Sequence, residues 1–112
     1  MLHKMTLRDK PFQQIKSGKK DIEMRLYDEK RSKIKARDQI EFTNTETNEK
    51  FLVNVVAIHI FNNFTELYKS FSKTRLGYGF KEKANPSDML EYYNQGLQDI
   101  YRVVGIEIKL AK

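Results

Sequence analysis

The 112 residues suffice for one domain spanning 1–112, which on folding buries roughly 65% of the surface its extended chain exposes. The chain has no cysteine and only two histidines, His3 and His59, so disulfides, thiolate metal sites and cysteine nucleophiles are excluded and no metal or other cofactor is expected. Lys and Arg outnumber Asp and Glu by 21 to 15, a net charge of +6, which suits a polyanionic partner but also keeps a small protein soluble.

In chain order, Met1 to Leu7 alternates loosely and reads as an opening strand. Its charges break any apolar leader, and no window approaches the ~20 apolar residues that span a bilayer, so a cytoplasmic chain without membrane association is expected. "DKPFQQIKSG" predicts a short helix with Asp9 as N-cap, Pro11 in the first turn and Gly18 as the stop. Phe12 and Ile15, three apart, would face the core. The turn at Gly18 then delivers a strand over Lys20–Leu26. The polar "YDEKRSKIKARD" is expected to be a turn or short helical loop.

"QIEFTN" and "KFLVNVVAIHIF" predict two strands joined by a polar turn. The second is apolar at Phe51, Val53, Val55 and Ala57 and also at Leu52, Val56, Ile58 and Ile60, so burial on both faces is expected. "NNFTELYKSFS" predicts a helix capped by Asn63. A glycine-containing loop follows, in which Tyr78 sits between Gly77 and Gly79, either covering a cleft or packing as an ordinary turn. "NPSDMLEYYNQG" predicts a third helix, capped by Ser87 or Asn85 and ending at Gly96. Its Tyr92 and Tyr93 read as core and rim. "YRVVGIEIKL" closes the chain as a strand. Strands flanking short helices around a long apolar hairpin predict an α+β fold, a small mixed β-barrel with about three short flanking helices.

The segment after Gly18 carries the chemistry. In the strand, Ile22, Met24 and Leu26 alternate with Glu23 and Arg25, so the two charged residues share a side. They can pair with each other or bracket a ligand. A carboxylate accepts hydrogen bonds from an exocyclic amine such as cytosine N4, and Arg holds a phosphate bidentately or stacks on a base. In a continuous strand Lys20 would share the side of Ile22 and Met24. It joins the other two only if the chain is still turning after Gly18 or bulges near Asp21. The bland alternative is a surface strand with a Glu–Arg pair of little energetic value. Tyr27 follows on the same side and can stack a base or join the core. Lys30, Arg31, Lys33, Lys35 and Arg37 form a basic loop that can track a nucleic-acid backbone or simply be solvated. His59, in the most apolar strand, reads as a core histidine, and Ser70, Ser72 and Thr74 have no convincing triad partners.

Gly18, Lys20, Glu23 and Arg25 match the pattern G-x-K-x-x-E-x-R. With "PFQQIKSGKKDIEMRL" leading into it, "DEKRSKIKARDQIEF" after it and "YRVVGIEI" at the end, the whole chain resembles the ASCH (activating signal cointegrator homology) domains. These are small barrels related to the PUA fold of RNA-modifying enzymes. The basic loop of the family usually ends in Gly-Asp, and Arg37 stands here at the glycine. The resemblance implies a PUA-like barrel and a cleft, lined by Gly18, Lys20, Glu23, Arg25 and Tyr27, that takes RNA or a nucleotide-like ligand. Some relatives hydrolyse the amide of N4-acetylcytidine with a Lys, a Thr three residues later and a separate Glu. Lys20 matches that lysine, Glu23 stands at the threonine position, and Glu82 is the nearest candidate for the glutamate. The alternative to a binding domain is therefore a small hydrolase that uses Lys20 and Glu23 on such an amide or, as a ribonuclease, on RNA phosphodiesters.

Overall fold

The structure is a computed structural model and describes residues 1–111. Five strands, β1 (Leu2–Leu7), β2 (Ile22–Leu26), β3 (Gln39–Asn44), β4 (Lys50–Phe61) and β5 (Val103–Leu110), form one sheet in the order β1-β3-β4-β5-β2. β1 runs parallel to β3, and all other pairs are antiparallel. Four short α-helices, α1 (Asp9–Lys16), α2 (Glu29–Ser32), α3 (Phe64–Ser70) and α4 (Gln95–Tyr101), and a 3-10 helix (Pro86–Glu91) decorate it. The sheet curls into a half-barrel whose two edge strands, β1 and β2, approach each other. Arg25 of β2 donates from Nη2 to the carbonyl of Thr6 in β1 at 2.8 Å. The architecture is the small α+β barrel of PUA type expected from the sequence.

Strand periodicity places apolar side chains on both faces of the curl. The inner face holds Val53, Val55, Val104, Ile106 and Ile108, plugged by Phe12 and Ile15 of α1. The outer face near β2 holds Ile22, Met24, Leu26 and Val103, covered by Phe64 and Leu67 of α3. Gly105 lies close under that cover. A Cβ there would touch Leu67 at 3.5 Å and crowd Ile22 at 3.2 Å, so a larger residue would require β2 to shift by a few tenths of an ångström. Fully burying side chains of this size contributes about 1.5–3 kcal/mol each.

Three local expectations are corrected. β4 is not buried on both faces: Leu52, Val56 and Ile60 are exposed, and a bulge between Val55 and Ala57 shifts the alternation. Beyond the bulge Ile58 joins the inner cluster, while Phe61 packs with the outer one. Asp9 is the first residue of α1 and Arg8 occupies the N-cap position. The Asp9 carboxylate instead accepts from Gln13 and from the buried Asn44. The single helix predicted over 85–96 is two elements. Asn85 caps the 3-10 helix, Asn94 caps α4 through the amide of Leu97, and Gly96 lies inside α4. Asn63 caps α3 as expected, accepting from the Glu66 amide.

The turn before β3 depends on Asp38, whose carboxylate accepts from His3 at 2.8 Å and from the Lys35 amide at 3.0 Å. The His3 hydrogen bond, then the Lys35 amide, hold its pKa down to about 2. A depressed carboxylate stabilises the fold above its unfolded pKa, and that contribution vanishes as pH falls through the folded value. Urea unfolding of wild type and Asp38→Asn is therefore expected to differ at neutral pH and to converge between about pH 4 and pH 2. A second expectation concerns Arg37, which is exposed and left-handed at φ 77° in that same turn. Relief of its steric strain exceeds the entropy cost of glycine, so Arg37→Gly should stabilise by roughly 0.5–1 kcal/mol in the same assay.

Candidate ligand-binding cleft

The site begins where α1 stops. Gly18 is left-handed at φ 84° and reverses the chain, its amide bonded back to the Ile15 carbonyl. The Lys20 amide then donates to the Gln14 carbonyl, and the amides of Asp21 and Ile22 both donate to the carbonyl of Arg75. Regular pairing with β5 starts only at Ile22. The late start meets the geometric condition set by the alternation, and it brings Lys20 to the side of Glu23 and Arg25.

These three form a buried charge cluster. Lys20 Nζ lies 3.3 Å from Glu23 Oε1. Arg25 donates to Glu23 Oε2 from Nε at 3.0 Å and from Nη2 at 2.9 Å. The Met24 amide also reaches Oε1, at 3.3 Å. Glu23 is 3% exposed and Lys20 8%, so a carboxylate and an ammonium sit almost wholly out of water. Burial opposes the charge on Glu23, but the fields and hydrogen bonds of Lys20 and Arg25 outweigh it and hold the carboxyl below the usual range. Two cations against one anion leave the cluster with one net positive charge. Glu23 takes three hydrogen bonds and the Lys20 ion pair, whereas Lys20 has this single acidic contact among the described residues for its three N–H groups.

The cluster floors a cleft of about 510 Å³ between the β1–β2 seam, α1 and the segment from Tyr68 to Tyr93. Gly77, left-handed at φ 104°, lets that segment close on the floor. A Cβ there would meet Gln14 Oε1 at 2.9 Å and Lys20 Cδ at 3.1 Å, and Gln14 donates to the Gly77 carbonyl at 2.7 Å. Tyr78 lines the wall. Its hydroxyl donates to Asp88 Oδ2 at 2.8 Å and lies 2.7 Å from the Tyr68 hydroxyl. Burial, with the hydrogen bonds to Tyr68 and Asp88, raises the Tyr78 pKa and keeps it protonated. Since its only proton goes to the carboxylate, Tyr68 donates to Tyr78 and retains a free acceptor oxygen. Tyr93 stacks on Phe64 and stands beside the Arg25 guanidinium. The cleft therefore opposes a donor-rich floor to an acceptor-rich wall.

The remaining sequence candidates are distributed unevenly. Glu82 is at the rim, half-exposed, with Oε1 accepting from the Gly79 amide. Tyr27 is not among the cleft-lining residues: it packs against the inner core with the Arg102 guanidinium 5.9 Å from its ring centre. The basic loop is also apart from the cleft. Arg31 is bonded to Asp28 through its amide and side chain, and Lys30 and Lys33 line a separate hollow beside His3 and Tyr101. Lys35 and Arg37 are exposed. His59 is half-buried and pairs with Glu107 at 2.9 Å, away from the cleft. Gln14, Tyr68 and Asp88 were not singled out in the sequence. A helical position, an apparent core aromatic and a cap-region acid carry no local signal of convergence.

Residues 5–111 match the family model of the ASCH domain. The chain belongs to the ASCH family. Among solved structures, it is similar to the crystal structure of the hypothetical protein PH0355 from Pyrococcus, at 30% identity and a TM-score of 0.84 over 99% of this chain and 100% of that one. It is likewise similar to the solution structure of protein PF0455 from Pyrococcus furiosus, at 34% identity and a TM-score of 0.78 over 100% of this chain and 99% of that one. No curated protein matches at a significant level. Among the described residues, no helix is long and apolar enough to cross a membrane.

Neutralising the carboxylate strands two buried cations. Glu23→Gln is expected to destabilise this ASCH domain by about 3–5 kcal/mol, the cost typical of breaking a buried pair. Adding Lys20→Met to that variant should recover part of the loss in a double-mutant cycle by urea denaturation.

Proposed function

We propose that the cleft binds a nucleotide of RNA, gripping its carbonyl or phosphate oxygens with Lys20 and Arg25. The single observation that carries this reading is the buried Lys20–Glu23–Arg25 cluster, with one net positive charge, at the floor of a cleft of about 510 Å³. That volume lies within the roughly 300–1,000 Å³ of ordinary small-molecule pockets. ASCH domains are generally RNA-binding, which supports the choice of ligand. Glu23 orients both cations and so prepays their ordering. Opposite them, the Tyr68 oxygen, Asp88 and Glu82 offer acceptors for an exocyclic amine, and the tyrosine rings offer stacking surface. Lys30, Lys33, Lys35 and Arg37, outside the cleft, add a salt-sensitive attraction for the phosphate backbone.

Binding is favoured over hydrolysis of an N4-acetylcytidine-type amide by the state of Glu23. It stands where the amidohydrolase relatives place a threonine, and the Lys20 ion pair with the hydrogen bonds from Arg25 and the Met24 amide lowers its pKa and makes it a weak nucleophile and base. Lys20 thus acts as a fixed donor in this reading.

Titration of single-stranded RNA and of cytidine monophosphate is expected to show affinity that falls with salt for the RNA. Lys20→Met and Arg25→Lys should each weaken both ligands by about tenfold or more when titrated well below each variant's lowered melting temperature, on protein whose circular dichroism is native. Methionine removes the ammonium donors, and a flexible ammonium does not reproduce a bidentate guanidinium. Unchanged affinity in both variants would sink the proposal. Turnover of N4-acetylcytidine that disappears in Lys20→Met would replace it with the hydrolase reading.

A further inference from the structure

The loop between α3 and the 3-10 helix holds one side chain in water by deliberate local bonding. Lys73 Nζ donates to the carbonyls of Phe80 at 2.8 Å and of Glu82 at 2.6 Å. The Gly79 amide donates to Glu82 Oε1 at 2.7 Å, and the Glu82 amide returns to the Gly79 carbonyl at 3.0 Å. These bonds close a tight turn with Phe80 at its tip. Phe80 is 91% exposed, the most exposed large apolar residue described.

An isolated exposed phenyl ring needs no explanation. The surroundings of this one give it meaning. Tyr78 and Glu82, two residues to either side, both line the cleft, so the turn that carries the ring borders it, while Phe80 itself stands outside the lining. Exposed Lys81 and Lys83 flank it, and Lys10 of α1 lies 4.0 Å from the Glu82 carboxylate. Elsewhere among the cleft-lining residues Tyr92 is 54% exposed, with the Arg8 guanidinium 6.0 Å from its ring centre. Aromatic rings interleaved with cations along a cleft mouth match the chemistry of a single strand, whose bases stack while its phosphates meet Lys and Arg. A protein partner would seek a contiguous apolar patch, and Phe80 is followed directly by Lys81, Glu82 and Lys83.

We infer that Phe80 is a stacking platform for the base next to the nucleotide held in the cleft, so that the ligand of this ASCH domain is a single-stranded RNA rather than a free nucleotide. The inference rests on the cleft reading given above. It assigns the flanking nucleotide to Phe80, with Lys81, Lys83 and Lys10 placed to meet the adjoining phosphates.

The test compares a labelled single-stranded RNA oligonucleotide containing cytidine with cytidine monophosphate, on wild type, Phe80→Ala, Phe80→Trp and Arg25→Lys. Wild type should bind the oligonucleotide more tightly than the mononucleotide. Phe80→Ala should weaken the oligonucleotide about tenfold and leave the mononucleotide unchanged, and Phe80→Trp should restore the oligonucleotide. Exposure of the ring makes loss of folding no concern. Oligonucleotide affinity indifferent to Phe80→Ala but lost in Arg25→Lys would overturn the platform and leave the cleft standing. Affinity for neither ligand would overturn both. Self-association of the wild type that disappears in Phe80→Ala would assign the ring to a contact between copies and likewise overturn the inference.

Discussion

A carboxylate buried to 3% exposure dictates the local architecture of this domain. Glu23 cannot remain charged there without cations in contact, and the chain supplies them from two directions. Arg25 comes from the same strand by the two-residue period, and Lys20 from the turn that precedes it. The second source constrains the backbone. For Lys20 to reach Glu23, pairing must wait until Ile22, the turn must pass through a left-handed Gly18, and Gly77 must lack a side chain to make room for the Lys20 stem. The same guanidinium that neutralises Glu23 also spans the seam to Thr6 of β1, so the charge cluster and the closure of the half-barrel are one interaction.

The wall opposite the cluster is held by a second set of polar contacts on the outer face. Arg75 donates to Asp21 at 2.8 Å, approaches Glu107 at 3.3 Å and lies over the Phe71 ring, while its carbonyl takes the amides of Asp21 and Ile22. This residue ties the segment that carries Tyr78 to the start of β2 from behind. From the other end, buried Gln98 accepts from the Phe64 amide and donates to the Tyr93 carbonyl, joining α3, α4 and the wall. Floor and wall are therefore fixed to the same short strand, and the width of the cleft follows from contacts that never face it.

The sequence made the inward and outward parity of β2 legible because a strand period leaves no freedom once the core residues are known. Glu23 and Arg25 were thus placed together from spacing alone, and Lys20 was tied to a condition that backbone hydrogen bonding decides. β4 misled because its apolar residues continue through a bulge, and a one-residue slip in alternation is invisible when both sets are apolar. The 85–96 segment misled because Asn94 restarts a helix immediately after another ends, so the two caps, Asn85 and Asn94, read as one element. The wall was illegible for a different reason. Tyr68 and Tyr78 meet through hydroxyls ten residues apart in the chain, and their rings pack like core while their oxygens serve the cleft. Periodicity reports which face a ring occupies and is silent on where its polar atom points.

The distribution of charge separates two tasks that the net value of +6 merges. The cleft is lined by Arg8, Lys10, Lys20 and Arg25 and equally by Glu23, Glu82, Asp88 and Glu91, so it is close to neutral and the chain's excess cations lie outside it. A site meant only to attract a polyanion would not carry four carboxylates. Divided polarity of this kind selects the orientation of a ligand that has acceptors at one end and donors at the other. On the proposed reading, the outer lysines and arginines supply salt-sensitive affinity for any strand, and the cleft decides which nucleotide is retained. The discriminating groups are then rigid by construction: Glu23 fixes the two donors, Asp88 fixes the proton of Tyr78, and Tyr78 in turn fixes the free oxygen of Tyr68.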